Sequence, residues 1–387
     1  MSSPTDSFLS TKRPRIHRSK SGAEIETYEC PDLWFDDGNI IIRSILSNKN
    51  ASIACKVHKS ILASHSNAFH DLFDGPQTAF DVASDRYDGV PVMDLPDSPS
   101  EVNDFLKALY FPEETHCHLP ISSPFFEGIW RGFPFKYEGI LRLALKYDCE
   151  PLRDQMINVL RHAWPQYLID WDFLQKRTED LEVAYLRREC FDMSFAHPEP
   201  ARTLRLAMDC NVVDILPVVF YDLMRVHEVI AANPWEIFRR ADLSVLTAED
   251  LRRLAHGRGN LRGKYLDDIT YLQHDIRLDS CKRIPVSGKL FSGKQSPCHA
   301  SLKKWWDTRL GVASGPSVRD PIRWLREEIS LCDDIPQDEV CVGCIRAIKK
   351  YLERVREELW TSLPYFFGLT SLVSDNWGKE PEPKIWY

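Results

Sequence analysis

The sequence predicts an α+β domain near the N-terminus followed by an all-α region, and three observations carry that expectation. β-Branched runs at Asn39-Ile-Ile-Ile42 and Ser52-Ile-Ala-Cys-Lys-Val57 flank the polar turn Ser47-Asn-Lys-Asn-Ala51 and read as a hairpin. Pro91-Val-Met-Asp-Leu95 reads as a third strand, with helical periodicity on either side of it. Beyond Trp164 no strand pattern recurs, and the signals are helix starts and apolar stripes.

Taken in order, residues 1–30 are rich in Ser, Thr and charge with little apolar periodicity, and are expected to form a disordered tail. Inside it, Lys12-Arg13-Pro-Arg15-Ile-His-Arg18-Ser-Lys20 packs five cations into nine residues. That composition suits a nuclear import signal, a phosphate contact or simply a solvated tail. The α+β domain is placed at 31–163. After the hairpin, residues 59–73 give two short helices. Pro96 ends the third strand, and Ser98 or Ser100 is placed to cap a helix with the stripe Val102, Phe105, Leu106 and Leu109. An irregular, aromatic, proline-bearing insert occupies roughly 111–135. Ile140, Leu141, Ala144 and Leu145 mark the next helix. Pro151 suits the first turn of the one after, whose buried stripe is Leu152, Met156, Val159 and Leu160. The order ββααβααα suits helices gathered around a small sheet.

The region 164–387 is expected to be helical. Leu204–Met208 and Ile215–Tyr221 form a short pair, and Asn233-Pro234 and Asp320-Pro321 are helix starts. Thr247-Ala-Glu-Asp250 is close to a capping box, with Asp in place of Glu. The glycines, prolines and serines of 256–300 mark the least ordered stretch, and 337–363 reads as one long helix.

Composition excludes several classes. Across 387 residues, 43% hydrophobic and 11% aromatic content supplies ordinary cores, so global disorder is ruled out. A net charge of −8 gives no general drive toward nucleic acid. Residues 31–110 carry twelve acidic against six basic side chains, a surface that repels phosphate. No uncharged stretch reaches the roughly 18 residues of a membrane span. The N-terminus lacks the apolar core of a signal peptide. Eleven scattered cysteines fit reduced thiols in an intracellular setting, cytoplasmic or nuclear.

The run from Cys55 to Phe69 is the most specific feature of the chain. Cys55-Lys-Val-His58-Lys59, then Leu62, Ser66 and Phe69 at their spacing, resemble the signature of the BTB/POZ domain, a protein-interaction fold. Asn39-Ile-Ile-Ile42 lies where that family usually shows Asp-Val-x-Leu, and Ala144-Leu-Lys-Tyr147 is similar to its late "A-x-x-Tyr" turn. The likeness covers about 31–163. Asn39 stands where the family has Asp, which bears on any ion pair with His58 or Lys59. More narrowly, the chain resembles the BTB proteins that occur in many copies in mushroom-forming fungi. The residues concerned are Asp32–Asn39, Gly89–Ser98, Phe105–Tyr110 and, in the second half, Leu246–Arg253. The resemblance implies a non-catalytic interaction module that self-associates through the helix at 59–65, burying Ile61 and Leu62 or their neighbours. It also implies possible homo- or heterodimers, or an adaptor role on a cullin-type ubiquitin ligase using the helix around Val102–Tyr110.

Rival chemistry centres on Cys341-Val-Gly-Cys344, with Cys298-His299, Cys281 and Cys332 upstream. A C-x₂-C pair can supply two zinc ligands, which would suit a zinc-containing nuclear regulatory protein. Yet Cys341, Cys344, Ile348, Leu352, Val355 and Leu359 also make one apolar helical stripe, in which cysteine is a small hydrophobe. The stripe is the preferred reading, with no cofactor; zinc on Cys298, Cys341 and Cys344, and a redox role, are the alternatives. His58 has no recognisable nucleophile beside it, and no enzyme is expected. His116-Cys-His118 reads as an exposed loop. Gly257-Arg-Gly259 lacks the Lys-Ser/Thr of a phosphate loop.

Overall fold

The structure is a computed structural model that describes residues 15–18, 24–45, 51–74, 85–112, 137–187, 199–226, 241–274, 281, 298–310 and 319–380. It forms two compact units, Met1–Ala163 and Trp164–Tyr387. Residues 113–135 of the insert read at 111–135, with His116 and His118, residues 47–50 of the turn Ser47–Ala51, and Asn233-Pro234 lie outside the described residues.

The first unit is mixed α and β. Strands β1 (Arg15–Arg18), β2 (Glu24–Trp34), β3 (Ile40–Ile45), β4 (Ala51–Val57), β5 (Arg86–Tyr87) and β6 (Val90–Leu95) lie in the order β1-β2-β4-β3-β6-β5. The expected hairpin is present, with β3 and β4 antiparallel and Ile42 opposite Cys55. β6 joins the other side of β3 in parallel. Both faces of the centre are covered, so Ile40, Ile41 and Ile42 are all buried and the strand reads as a continuous apolar run.

The N-terminal tail differs from expectation. Backbone strands run through 15–18 and 24–34, reaching into the 1–30 stretch where the sequence suggests disorder, and β2 pairs in parallel with β4. The reason is a polar match that hydrophobic periodicity does not register: Thr27 faces Ser52 across the ladder, and their buried hydroxyls lie 2.9 Å apart. The ladder shifts register between Glu29 and Trp34, where Pro31 cannot donate a bond.

After β4 come α1 (Lys59–His65) and α2 (Asn67–Asp74), then, beyond β6, α3 (Pro99–Tyr110), α4 (Glu138–Lys146) and α5 (Glu150–Ala163). The stripes read from the sequence are the buried ones: Val102, Phe105, Leu106 and Leu109 on α3, and Leu152, Met156, Val159 and Leu160 on α5. Ser98 occupies the cap position of α3 but makes no side-chain cap bond; its hydroxyl lies 3.0 Å from that of Ser100. Pro99 stands at the first helical position, where its missing N–H costs nothing, and Glu101 in the first turn meets the positive helix end.

In the second unit every described element is helical: α6 (Leu168–Leu186), α7 (Pro200–Asp209), α8 (Leu216–Arg225), α9 (Ala248–His274), α10 (His299–Leu310), α11 (Pro321–Leu331), α12 (Val342–Thr361) and α13 (Leu363–Phe366), with short 3-10 turns. Two starts follow the sequence closely. Asp320 caps α11 by accepting from the Arg323 N–H at 3.2 Å. At α9, the Thr247 N–H donates to Asp250 Oδ2 at 2.9 Å while the Asp250 N–H donates to Thr247 Oγ1 at 3.2 Å, a reciprocal box built with the shorter acid.

Helix α9 then overturns the expectation of disorder from residue 256, because it continues unbroken to His274. Its glycines are not equivalent. A Cβ on Gly257 would meet Phe367 Cδ1 at 2.0 Å, and that ring is itself buried and stacked on Phe220 at 5.2 Å. Gly259 and Gly263 have open space. Packing at one glycine outweighs the poor helix propensity of all of them. Gly257→Ala is therefore expected to destabilise the chain by about 1–3 kcal/mol through overpacking. Gly259→Ala is expected to stabilise it by about 0.5–1 kcal/mol through backbone entropy. Denaturant unfolding of the two variants against the parent reads the opposite signs.

Candidate functional site

The signature at 55–69 folds as a strand leading into two short helices, and its polar side chains are spent on holding that turn. Lys59, at the start of α1, donates its backbone N–H to Asn39 Oδ1 at 2.8 Å, so Asn39 caps the helix from the neighbouring strand end. A neutral amide makes this bond as well as a carboxylate would, and the acid that faces His58 is Asp37. Its Oδ1 lies 3.1 Å from His58 Nε2, and the hydrogen bond from His58 holds the exposed Asp37 carboxyl below its ordinary range. On the other side, His58 Nδ1 is 3.1 Å from the Tyr110 hydroxyl, which also accepts the His58 backbone N–H at 2.7 Å. Phe35 stacks on Tyr110 at 5.0 Å. Burial pushes the Tyr110 hydroxyl upward, keeping it protonated.

Ser66 opens α2. Its Oγ accepts from the Phe69 N–H at 3.0 Å and donates to the carbonyl of Tyr147, at the end of α4. The Phe69 and Tyr147 rings stack at 4.9 Å. Tyr147 then donates its hydroxyl to Asp97 at 2.5 Å, and burial followed by that bond raises its pKa. Ser66 and Phe69 from one motif, and Tyr147 from another, thus meet in one place. Cys55 is fully buried, its thiol pushed up by a hydrogen bond to Cys30 and by burial.

One surface expectation, that for Leu62, needs correction. Leu62 is 0% exposed, a core residue of the unit and no part of a free face; Ile61 beside it is half-buried. On α3 the apolar residues are likewise consumed by the core, and Tyr110 by Phe35 and His58. What α3 leaves toward solvent is polar, chiefly Asp104.

The second unit carries a different constellation. The ligand atoms of Cys281, Cys298, Cys341 and Cys344 all lie within 4.8 Å of one another. The Cys281 and Cys298 sulfurs are 3.7 Å apart and those of Cys341 and Cys281 are 4.0 Å apart. Sequence spacing singled out Cys298, Cys341 and Cys344; Cys281 completes the set, and His299, adjacent to Cys298, does not belong to it. Cys332 is equally buried but stands outside the group, its thiol raised to about 12 by burial. The expected continuous stripe is also shorter at its start: α12 begins at Val342, and Cys341 caps it with an extended backbone. Cys344, Ile348, Leu352, Val355 and Leu359 keep the buried face. Burial, then the neighbouring thiols, push the Cys344 thiol upward, and burial leads for Cys298 as well.

Comparison of the chain with family models, with curated proteins and with solved structures found no match. No helix among the described residues is long and apolar enough to cross a membrane.

Removing the Ser66 hydroxyl takes the cap from α2 and a donor from the half-buried Tyr147 carbonyl. Ser66→Ala is expected to cost about 1–3 kcal/mol. Ser66→Thr, which keeps the oxygen, is expected to recover most of it. Equilibrium unfolding of both variants checks the pair, and an unchanged Ser66→Ala midpoint contradicts the role given to this contact.

Proposed function

We propose that this chain is a protein-interaction module whose first unit is a BTB-type docking domain that pairs with a second copy of itself. The observation that carries the reading is the convergence of Ser66, Phe69 and Tyr147, three signature residues separated by up to 81 positions, on one contact. Supporting it, Asn39, His58 and Ser66 direct their polar atoms inward to helix ends and ring contacts. Residues used that way shape a surface and leave the work to what that surface presents. On α1 Ile61 is half-buried, and on α2 Leu72 is 44% exposed. These are apolar groups whose burial against a like copy would contribute to an isologous interface.

Light scattering across concentration tests the proposal. The apparent mass of the full chain should rise toward twice its monomer value, and Ile61→Asp should weaken association by roughly tenfold or more, equivalent to about 1.4 kcal/mol. A chain that stays monomeric at high micromolar concentration removes the self-pairing reading.

A further inference from the structure

We propose that Cys281, Cys298, Cys341 and Cys344 form a closed structural zinc site that staples the second unit together. The geometry fits the ion. Zinc–thiolate bonds of about 2.3 Å arranged tetrahedrally put neighbouring sulfurs about 3.8 Å apart. The two sulfur–sulfur separations are 3.7 and 4.0 Å. A disulfide would bring one pair to about 2.05 Å and leave the other two thiols without that bond. Here all four sulfur atoms share one small volume.

Burial alone does not explain the gathering. Cysteine behaves as a small hydrophobe and can sit anywhere in a core. Cys332 does so in the same unit, fully buried and apart from the four, as do Cys30, Cys55 and Cys149 in the first unit. The four that meet come from three separate places in the chain: residue 281, the residue just before α10, and the start of α12. Backbone geometry also points into the cluster. The backbone N–H of Cys341 points to Cys298 Sγ at 3.3 Å, and Cys344 lies in the first turn of α12, at the positive end of its dipole.

Four sulfur ligands select a soft, tetrahedral ion over magnesium or calcium, and a complete set of four leaves no open position for a substrate. The role is therefore mechanical. Metal binding joins residue 281 to residue 344, and the chain between them includes all of α10 and α11. Ligand bonds of this kind contribute folding free energy directly. The inference is independent of the docking proposal, since it concerns the second unit alone.

The test is metal analysis of the purified full chain after growth in medium supplied with both zinc and iron. About one zinc per chain is expected. Cys344→Ser and Cys341→Ser should lose it, and Cys332→Ser, equally buried but outside the cluster, should keep it. Should the first two variants fail to fold, the parent chain still decides the matter. Stripping its zinc with a chelator should expose these four cysteines to alkylation at least as early as Cys332, as mapped by peptide mass. A metal-free parent chain, iron in place of zinc, a disulfide among the four, or zinc retained in both cluster variants overturns the proposal.

Discussion

The first unit depends on the turn Tyr147–Asp148, because the two helices that define its surface are too short to stand alone. Helices of seven and eight residues recover little from their own backbone bonds after paying for nucleation, so remote groups must hold them. The Tyr147 carbonyl takes the Ser66 hydroxyl. The Asp148 carbonyl takes the Asn67 N–H at 3.2 Å, and its carboxylate takes the Asn67 side chain at 2.9 Å. Asp148 itself sits at φ 50°, a left-handed residue that stops α4 and aims these acceptors at α2. Through the Tyr147 hydroxyl and Lys146, the same turn grips Asp97 at the end of β6. Sheet, short helices and late helices are thus fixed to each other by one chain reversal.

The second unit is organised by a buried charge instead. Arg225 at the end of α8 is 4% exposed at its side chain, and a guanidinium there must be paired or it costs several kcal/mol. It lies 2.7 Å from Asp320 and 3.2 Å from Asp222, donates to Gln175 at 2.7 Å, and stands over the ring of Trp171. Asp320 is also the cap of α11 and accepts from the Tyr221 hydroxyl at 2.5 Å. One carboxylate therefore completes a helix start and neutralises a cation from another helix. That double duty sets α6, α8 and α11 in register without relying on apolar packing alone.

Features that depend on neighbours in sequence were legible. The hairpin, Pro151 in the first turn of α5, the Asp320 cap and the Thr247–Asp250 box all follow from spacings of a few residues, and each stands where those spacings put it. Features that depend on distant partners were not. β2 looks like polar tail because its match is the Thr27–Ser52 pair, and nothing local announces a parallel neighbour. Gly257 lowers the apparent helicity of α9 until the ring of Phe367, from beyond α13, is placed against it. Only the family resemblance places Leu62 at an interface, and the packed unit shows that it is core.

The cysteines show the same division within a single motif. Residues 337–341 carry enough helical character to read as the first turn of α12, and on that reading Cys341 and Cys344 share one apolar face. The chain instead makes a single turn there, in which the Pro336 carbonyl accepts the N–H groups of Glu339 and Val340, and the turn is not continued through Cys341. Cys341 is left extended, at φ −71° and ψ 150°, while Cys344 enters the helix. The break turns two neighbours on one face into two directions converging on Cys281 and Cys298. Hydrophobic periodicity weighs side chains and not backbone hydrogen bonds, so it runs the helix through Cys341, where the backbone begins it at Val342.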